Sequence, residues 1–380
     1  MNRALLLLTL CQGFFLTNNV TFIAINGLVG LALAPSAWMA TLPVTAYVAG
    51  GAMFAGLVGR HQRAWGRRRA FQLGLMVAIA STALCAWAAL QHQFWLVVAG
   101  ATLAGYYNAN AGLYRFAATE IVGPEFKERA ISWVLAGGII GAVAGPNLAR
   151  ITRNWLGVEF AGAYAALAVV ALCSLATISW IRFPPLVAPS AAAPGRPIRE
   201  IVMQPVFLVA VCACAFGYGV MNLLMAATPI AMAMCSHPFA NTALVLEWHV
   251  LGMFVPSFFT GSLIRRFGAI RVMAAGVVLN GVCIAVALFA LGVGWNFLFI
   301  GGTSLVTTAY RPEEKTRAQA AMDTTIFTTM TITSFSSGAL VTTQGWAWLN
   351  LGSIVPVLLT PIALAWYAAH RRAELRTRPA

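Results

Sequence analysis

Pro124-Glu-Phe-Lys-Glu-Arg-Ala130 returns in the second half of the chain as Pro312-Glu-Glu-Lys-Thr-Arg-Ala318. Gly105 precedes Tyr114-Arg115 by the same distance that Gly301 precedes Tyr310-Arg311, and Arg63-Ala-Trp-Gly66 is echoed by Arg265-Arg-Phe-Gly268. Three matches in the same order mean that the chain carries one unit twice. Between the copies, Phe183-Pro-Pro-Leu-Val-Ala-Pro-Ser-Ala-Ala-Ala-Pro-Gly-Arg-Pro197 reads as a semi-rigid linker. We therefore divide the chain into 1–182, a linker at 183–203, and 204–380.

Each unit is made of apolar runs. Of 380 residues 60% are hydrophobic and 9% charged, against about a quarter charged in a soluble domain. Runs of roughly 20 residues cross a hydrocarbon core of about 30 Å as helices. They fall at 5–34, 37–59, 70–90, 94–119, 130–152, 157–182, 204–234, 240–264, 270–291, 294–310, 317–342 and 345–369. The fold class is an all-α integral membrane protein with twelve transmembrane helices in two six-helix repeats. The opening run continues past Leu28 without a small-residue cleavage pattern and is kept as a span.

The net charge of +14 is distributed, not clustered for nucleic acid. Arg60, Arg63, Arg67, Arg68 and Arg69 follow the second span, Arg265, Arg266 and Arg271 the eighth, and Arg371, Arg372, Arg376 and Arg378 the last; the opposite loops hold Arg150 and Arg153. The positive-inside rule then places both termini in the cytoplasm of a bacterium, with the chain in its inner membrane. Seven cysteines lie in or beside apolar spans with no C-x-x-C pair, which reads as buried small hydrophobes. Nothing in the sequence implies an oligomer.

Parallel six-helix repeats are the layout of major facilitator transporters, and the sequence resembles that family. Gly56 through Arg69 is similar to its G-x-x-x-D-R-x-G-R-R signature, with Gly66-Arg67-Arg68 in the last positions and Arg63 where the acid stands. Gly141-Ala-Val-Ala-Gly145-Pro146 resembles the G-x-x-x-G-P element of antiporters, and close helix packing also explains its small residues. No phosphate-binding G-x-x-x-x-G-K-[ST], H-E-x-x-H or G-x-S-x-G is present. The chain is expected to be a non-enzyme with no permanently bound cofactor, driven by gradients or membrane potential.

A soft-ligand pattern occupies the seventh and eighth spans. At 100° per residue Cys214, Met221, Met225 and Met232 fall within about 40° on one helix face, and His249 and Met253 lie one turn apart on the next helix. Depth along the two antiparallel spans matches, so three thioethers and one imidazole are expected to meet near the midplane. Such donors select soft or borderline metals, Cu(I) above all. Core packing by methionine is the alternative.

M-x-x-x-M followed by H-x-x-x-M on a twelve-span chain is similar to the CcoA-type copper importers, a group whose relatives include riboflavin transporters. Tyr114-Arg-Phe-Ala-Ala118, Gly294-Trp-Asn-Phe-Leu-Phe299 and Ser336-Ser-Gly338 carry the same likeness. The resemblance implies copper import by alternating access for cytochrome oxidase assembly, with Met221, Met225, His249 and Met253 as ligands to the transported ion. Met232, Met234, Cys235 and His237 are then expected at the entry. The alternatives are an organic cargo such as riboflavin, held by Asn18, Asn19, Asn26, Asn108, Asn110, Tyr106, Tyr107 and Trp248 in a central cavity, or a proton-coupled efflux pump. Glu247, Asp323, Arg115 and Arg63 are candidates for coupling or gating. Asp323 is expected to pair with Arg63 or Arg67 and so replace the missing acid of the signature.

Overall fold

A computed structural model describes residues 3–123, 126–184, 196–285, 288–311 and 314–377. Most of the linker, the prolines that open the two P-E-x-K-x-R-A copies and the end of the tail lie outside the described residues. Side chains of 127–129, 132, 282–285, 315–316 and 371–377 also lie outside them, including Cys283 and the expected tail arginines Arg371, Arg372 and Arg376.

Among the described residues all regular structure is helical, as required where no water is available to satisfy backbone polar groups. In order the helices are α1 Arg3–Leu33, α2 Leu42–Leu90, α3 Phe94–Ala111, α4 Tyr114–Ala118, α5 Lys127–Ala136, α6 Gly138–Thr152, α7 Ala161–Ser179, α8 Ile198–Val202, α9 Pro205–Met234, α10 Phe239–Phe254, α11 Ser257–Phe267, α12 Ala269–Ala285, α13 Leu288–Val306, α14 Lys315–Thr343 and α15 Gly345–Thr377. Among the described residues eight helical runs are long and apolar enough to cross a membrane by themselves. The second crossing within α2, together with α3–α4, α12 and α14, completes the twelve.

The expected basic loop after the second span is a single-residue fold in α2. Gly66 adopts φ 77°, ψ 168°, and the chain reverses there between two crossings. Gly268, its counterpart in the second repeat, has φ 84°, ψ 153° and separates α11 from α12. Only glycine occupies this region without strain, so the repeated Arg-x-x-Gly is the same backbone device used twice.

Several spans are broken where the sequence suggested continuity. The fourth divides after Ala111 and the fifth at Gly137. A Cβ on Gly137 would sit 2.2 Å from the Thr9 carbonyl oxygen, and one on Gly141 would sit 2.3 Å from Leu16 Cβ. Thr21 Oγ1 donates to the Gly145 carbonyl at 2.9 Å. The glycines of the G-x-x-x-G-P element thus let α6 lie directly on α1, as the packing alternative required. The eighth span breaks at Val255-Pro256. The sixth starts later than expected, after a turn at Phe160 (φ 63°), and the tenth starts earlier, α13 beginning at Leu288 instead of at 294.

In the first repeat α2 packs on α3 and α7, and α1 on α6 and α7; in the second, α9 packs on α13, α14 and α15. The repeats meet through α6 with α10, α2 with α14, and α1 with α9.

Candidate substrate site and gate

The two repeats are fastened on one side. Thr41 Oγ1 donates to the Ser334 carbonyl at 2.9 Å and accepts the Gly338 N–H at 3.1 Å; Thr45 Oγ1 donates to Ser334 Oγ at 3.2 Å. Asn147 Nδ2 donates to Glu247 Oε2 at 2.9 Å, and the Phe160 and Phe239 rings meet edge to face at 5.0 Å. A Cβ on Gly338 would fall 2.2 Å from Thr41 Oγ1, so the glycine is what admits the threonine. Among the described residues, every side-chain hydrogen bond found between the repeats lies at this end, away from the Arg60–Arg69 and Arg265–Arg271 turns. Glu247 is therefore placed as one of the fasteners, joining α10 to α6.

The expected ligands are all in the core. His249 is fully buried, and Met221, Met225 and Met253 are 4%, 4% and 8% exposed. The chain brings them to α13, a common neighbour: α9 and α10 each pack more extensively on α13 than on one another. Cys214 Sγ lies against the Leu298 and Phe299 carbonyls at 3.7 and 3.6 Å, and His249 Nδ1 donates to the Leu288 carbonyl at 2.8 Å. Counting antiparallel along α13 from Cys214 puts Met221 near the level of Gly292 and Met225 near that of Leu288, while α10 runs parallel to α13, with His249 at Leu288 and Met253 at Gly292. A carbonyl accepts only, so Nδ1 carries the hydrogen. The other ring nitrogen, Nε2, is buried without a hydrogen-bond partner. No three His, Cys, Asp or Glu side chains cluster as a metal site among the described residues, so a cation here would depend on thioethers. Met232 is half-buried, and Met234, Cys235 and His237 are exposed at the α9–α10 turn.

The expected pairing of Asp323 with Arg63 or Arg67 is not formed. Arg67 instead grips Glu120, Nη2 to Oε1 at 2.6 Å and Nε to Oε2 at 3.0 Å. Glu120, on the turn after α4, is the acid that the signature lacks at position 63; its partner is 53 residues away, a separation that leaves no local sequence signal. Arg63 is exposed on α2. Asp323 interacts electrostatically with Arg115, whose guanidinium lies 4.8 Å from the Phe116 ring centroid and 5.8 Å from that of Phe299. This sets a cation of the first repeat against an aromatic ring of the second.

Several side chains expected in a central cavity are occupied elsewhere. Asn110 donates to the Ala70 carbonyl at 2.8 Å and accepts from Gln62 Nε2 at 2.9 Å. Asn19 donates to Tyr47, and Asn26 accepts from Tyr164, whereas Nδ2 of Asn26 and Nδ2 of Asn18 are buried without a partner. These bonds hold the first bundle together, because a buried amide is costly without partners. Tyr106 meets His61 Nδ1 at 2.7 Å, and Trp248 is 56% exposed, outside the core.

The interior carries instead a four-ring cluster that was not singled out as a site. Trp295 and Phe299, one turn apart on α13, stack at 5.1 Å and 14°; Tyr218 of α9 meets both edge-on at 5.0 and 5.1 Å, and Phe254 lies 6.2 Å from Trp295. The Trp295 indole Nε1 is buried without a partner. Beside it, Asn296 donates to the Met253 carbonyl at 2.6 Å and accepts from Thr260 at 2.7 Å, supplying partners where the α10–α11 break interrupts the helix. The W-x-x-x-F spacing within Gly294–Phe299 was the available signal.

Residues 5–285 match the Major Facilitator Superfamily. The chain is 36% identical over 379 residues, 95% of each chain, to the riboflavin transporter RfnT of Brucella anthropi. Among solved structures it is similar to the POT family transporter PepTSo (TM-score 0.73, 10% identity, 100% of this chain and 99% of that one) and to a bacterial homologue of the iron transporter ferroportin in an outward-facing state (0.67, 14%, 97% and 100%). With twelve crossings in two repeats, side-chain bonds joining them and this match over most of its length, the chain belongs to the major facilitator superfamily.

Proposed function

We propose that this transporter carries a planar aromatic organic solute of the riboflavin type across the bacterial inner membrane by alternating access. Both termini are cytoplasmic, so the fastened end faces outward, and residues 1–182 and 204–380 rock about the linker at 183–203. The observation that carries the cargo is the ring cluster of Tyr218, Phe254, Trp295 and Phe299, with an unpartnered indole N–H and with Arg115 and Asp323 beside it. Aromatic faces bind planar rings by stacking, and a donor left without a partner favours a cargo bearing carbonyl acceptors. The full-length similarity to a riboflavin transporter supports the same reading. Energy comes from a gradient, and Arg115 and Asp323, which stand on opposite repeats, are the coupling residues.

Copper is a second reading, favoured by one observation. His249 presents a buried, unpartnered Nε2 in a core that also holds Met221, Met225 and Met253 at matching depth, a donor set suited to Cu(I) as substrate.

Uptake in cells lacking their own importers separates the two. Radiolabelled riboflavin and copper would be compared in wild type, Trp295→Ala and His249→Ala. Riboflavin accumulation that Trp295→Ala abolishes and His249→Ala spares supports the organic cargo. Copper accumulation that His249→Ala abolishes, with no riboflavin uptake, replaces it.

A further inference from the structure

Away from the gate and the ring cluster, a groove of about 1000 Å³ opens at the arginine-bearing end of the first bundle. It lies where α1 begins, where α7 ends and beside the turn after α4. Arg3, Arg68 and Arg182 line it together with Val122, Trp180 and Phe183. All three arginines are exposed. The one carboxylate on its wall, Glu120, is engaged by Arg67, which leaves the groove strongly cationic. Its apolar side is equally distinct. Trp180 is 70% exposed, and Leu172 and Val169 continue its line along α7 at 50% and 58% exposure. Helical spacing sets these three on one outward stripe running from the groove into the hydrocarbon zone.

We propose that this groove is a binding site for an anionic phospholipid of the cytoplasmic leaflet. The phosphate sits among the Arg3, Arg68 and Arg182 guanidiniums, which hydrogen-bond phosphate oxygens in pairs. One acyl chain follows Trp180, Leu172 and Val169. A tryptophan at the end of a crossing marks the headgroup level, and basic pockets on the cytoplasmic side select anionic headgroups. Anchored at the ends of α1 and α7, the lipid would bear on the bundle that moves.

Native mass spectrometry of the purified full-length protein, offered equal phosphatidylglycerol and phosphatidylcholine, reads the site directly. Wild type is expected to retain phosphatidylglycerol in preference. Arg68→Gln with Arg182→Gln should weaken that binding roughly tenfold or more, at about 1 kcal/mol per guanidinium. Arg265→Gln with Arg266→Gln removes as much charge from the other bundle and should leave it unchanged. Val122→Trp keeps every charge but narrows the groove beside the arginines, and a loss in the same direction is expected from it. Equal losses in the two double variants, retention by Val122→Trp, or displacement of the lipid by inorganic phosphate alone would overturn the assignment.

Discussion

Thr41→Val isolates the gate. Thr41 is 1% exposed and precedes α2, yet its hydroxyl caps nothing in that helix. Its bonds are to the other repeat: one donated to the Ser334 carbonyl and one accepted from the Gly338 N–H. Valine keeps the branched shape and removes both. At about 1 kcal/mol net for each bond, the fastened state loses about 2 kcal/mol. When the gate opens, water reaches Ser334 and Gly338, so the opened state loses little. The ratio of the two states should therefore move about thirtyfold towards opening. Spin labels on Ser36 and Gln344, both exposed at the fastened end, report this as growth of a longer-distance population in electron–electron double resonance. A distance distribution identical to wild type, in a variant of equal thermal stability, would refute the assignment of these bonds as a gate.

Gly66→Ala forces a Cβ into φ 77° and should cost about 1–3 kcal/mol, seen as lost expression and a lower melting temperature. Gly56→Ala, with nothing within 4 Å of the added carbon, should be neutral or gain up to about 1 kcal/mol of helix propensity. Arg196 beside Glu314, Nη2 to Oε2 at 2.7 Å, holds that carboxyl well below the usual carboxylate range. A depressed pKa contributes stability that is complete above about pH 4.3 and is lost as the pH falls towards the folded-state value. The melting-temperature advantage of wild type over Glu314→Gln should accordingly shrink on acidification, and a constant difference would count against the pair. Asp323→Asn should leave the fold intact while uptake falls at least tenfold and becomes insensitive to external pH; undiminished, pH-dependent uptake would remove Asp323 from coupling.

The crossings were legible in the sequence because each apolar run must satisfy its own backbone, and the repeat was legible because glycine recurs where the chain must turn at positive φ. Helix breaks were not legible, since Gly137 and Pro256 interrupt apolar runs without changing composition. Partner choice was the larger gap. Asn110 is indistinguishable by type from a cavity-lining amide until Ala70 and Gln62 are seen beside it, and Arg67 finds Glu120 only through the fold. Burial of Met221, Met225, His249 and Met253 followed from spacing, whereas α13 as their shared neighbour did not. Trp295 and Phe299 stood in plain view at helical spacing, but their meaning depends on Tyr218 and Phe254, brought in from two other helices.

Counterflow in proteoliposomes containing the purified protein alone tests the cargo most directly. Vesicles loaded with unlabelled riboflavin should accumulate labelled riboflavin transiently with wild type and not with Trp295→Ala, while vesicles loaded with Cu(I) should show no copper exchange. Copper exchange that depends on His249, with riboflavin excluded, would contradict the aromatic cargo and leave the fold and the gate as they stand.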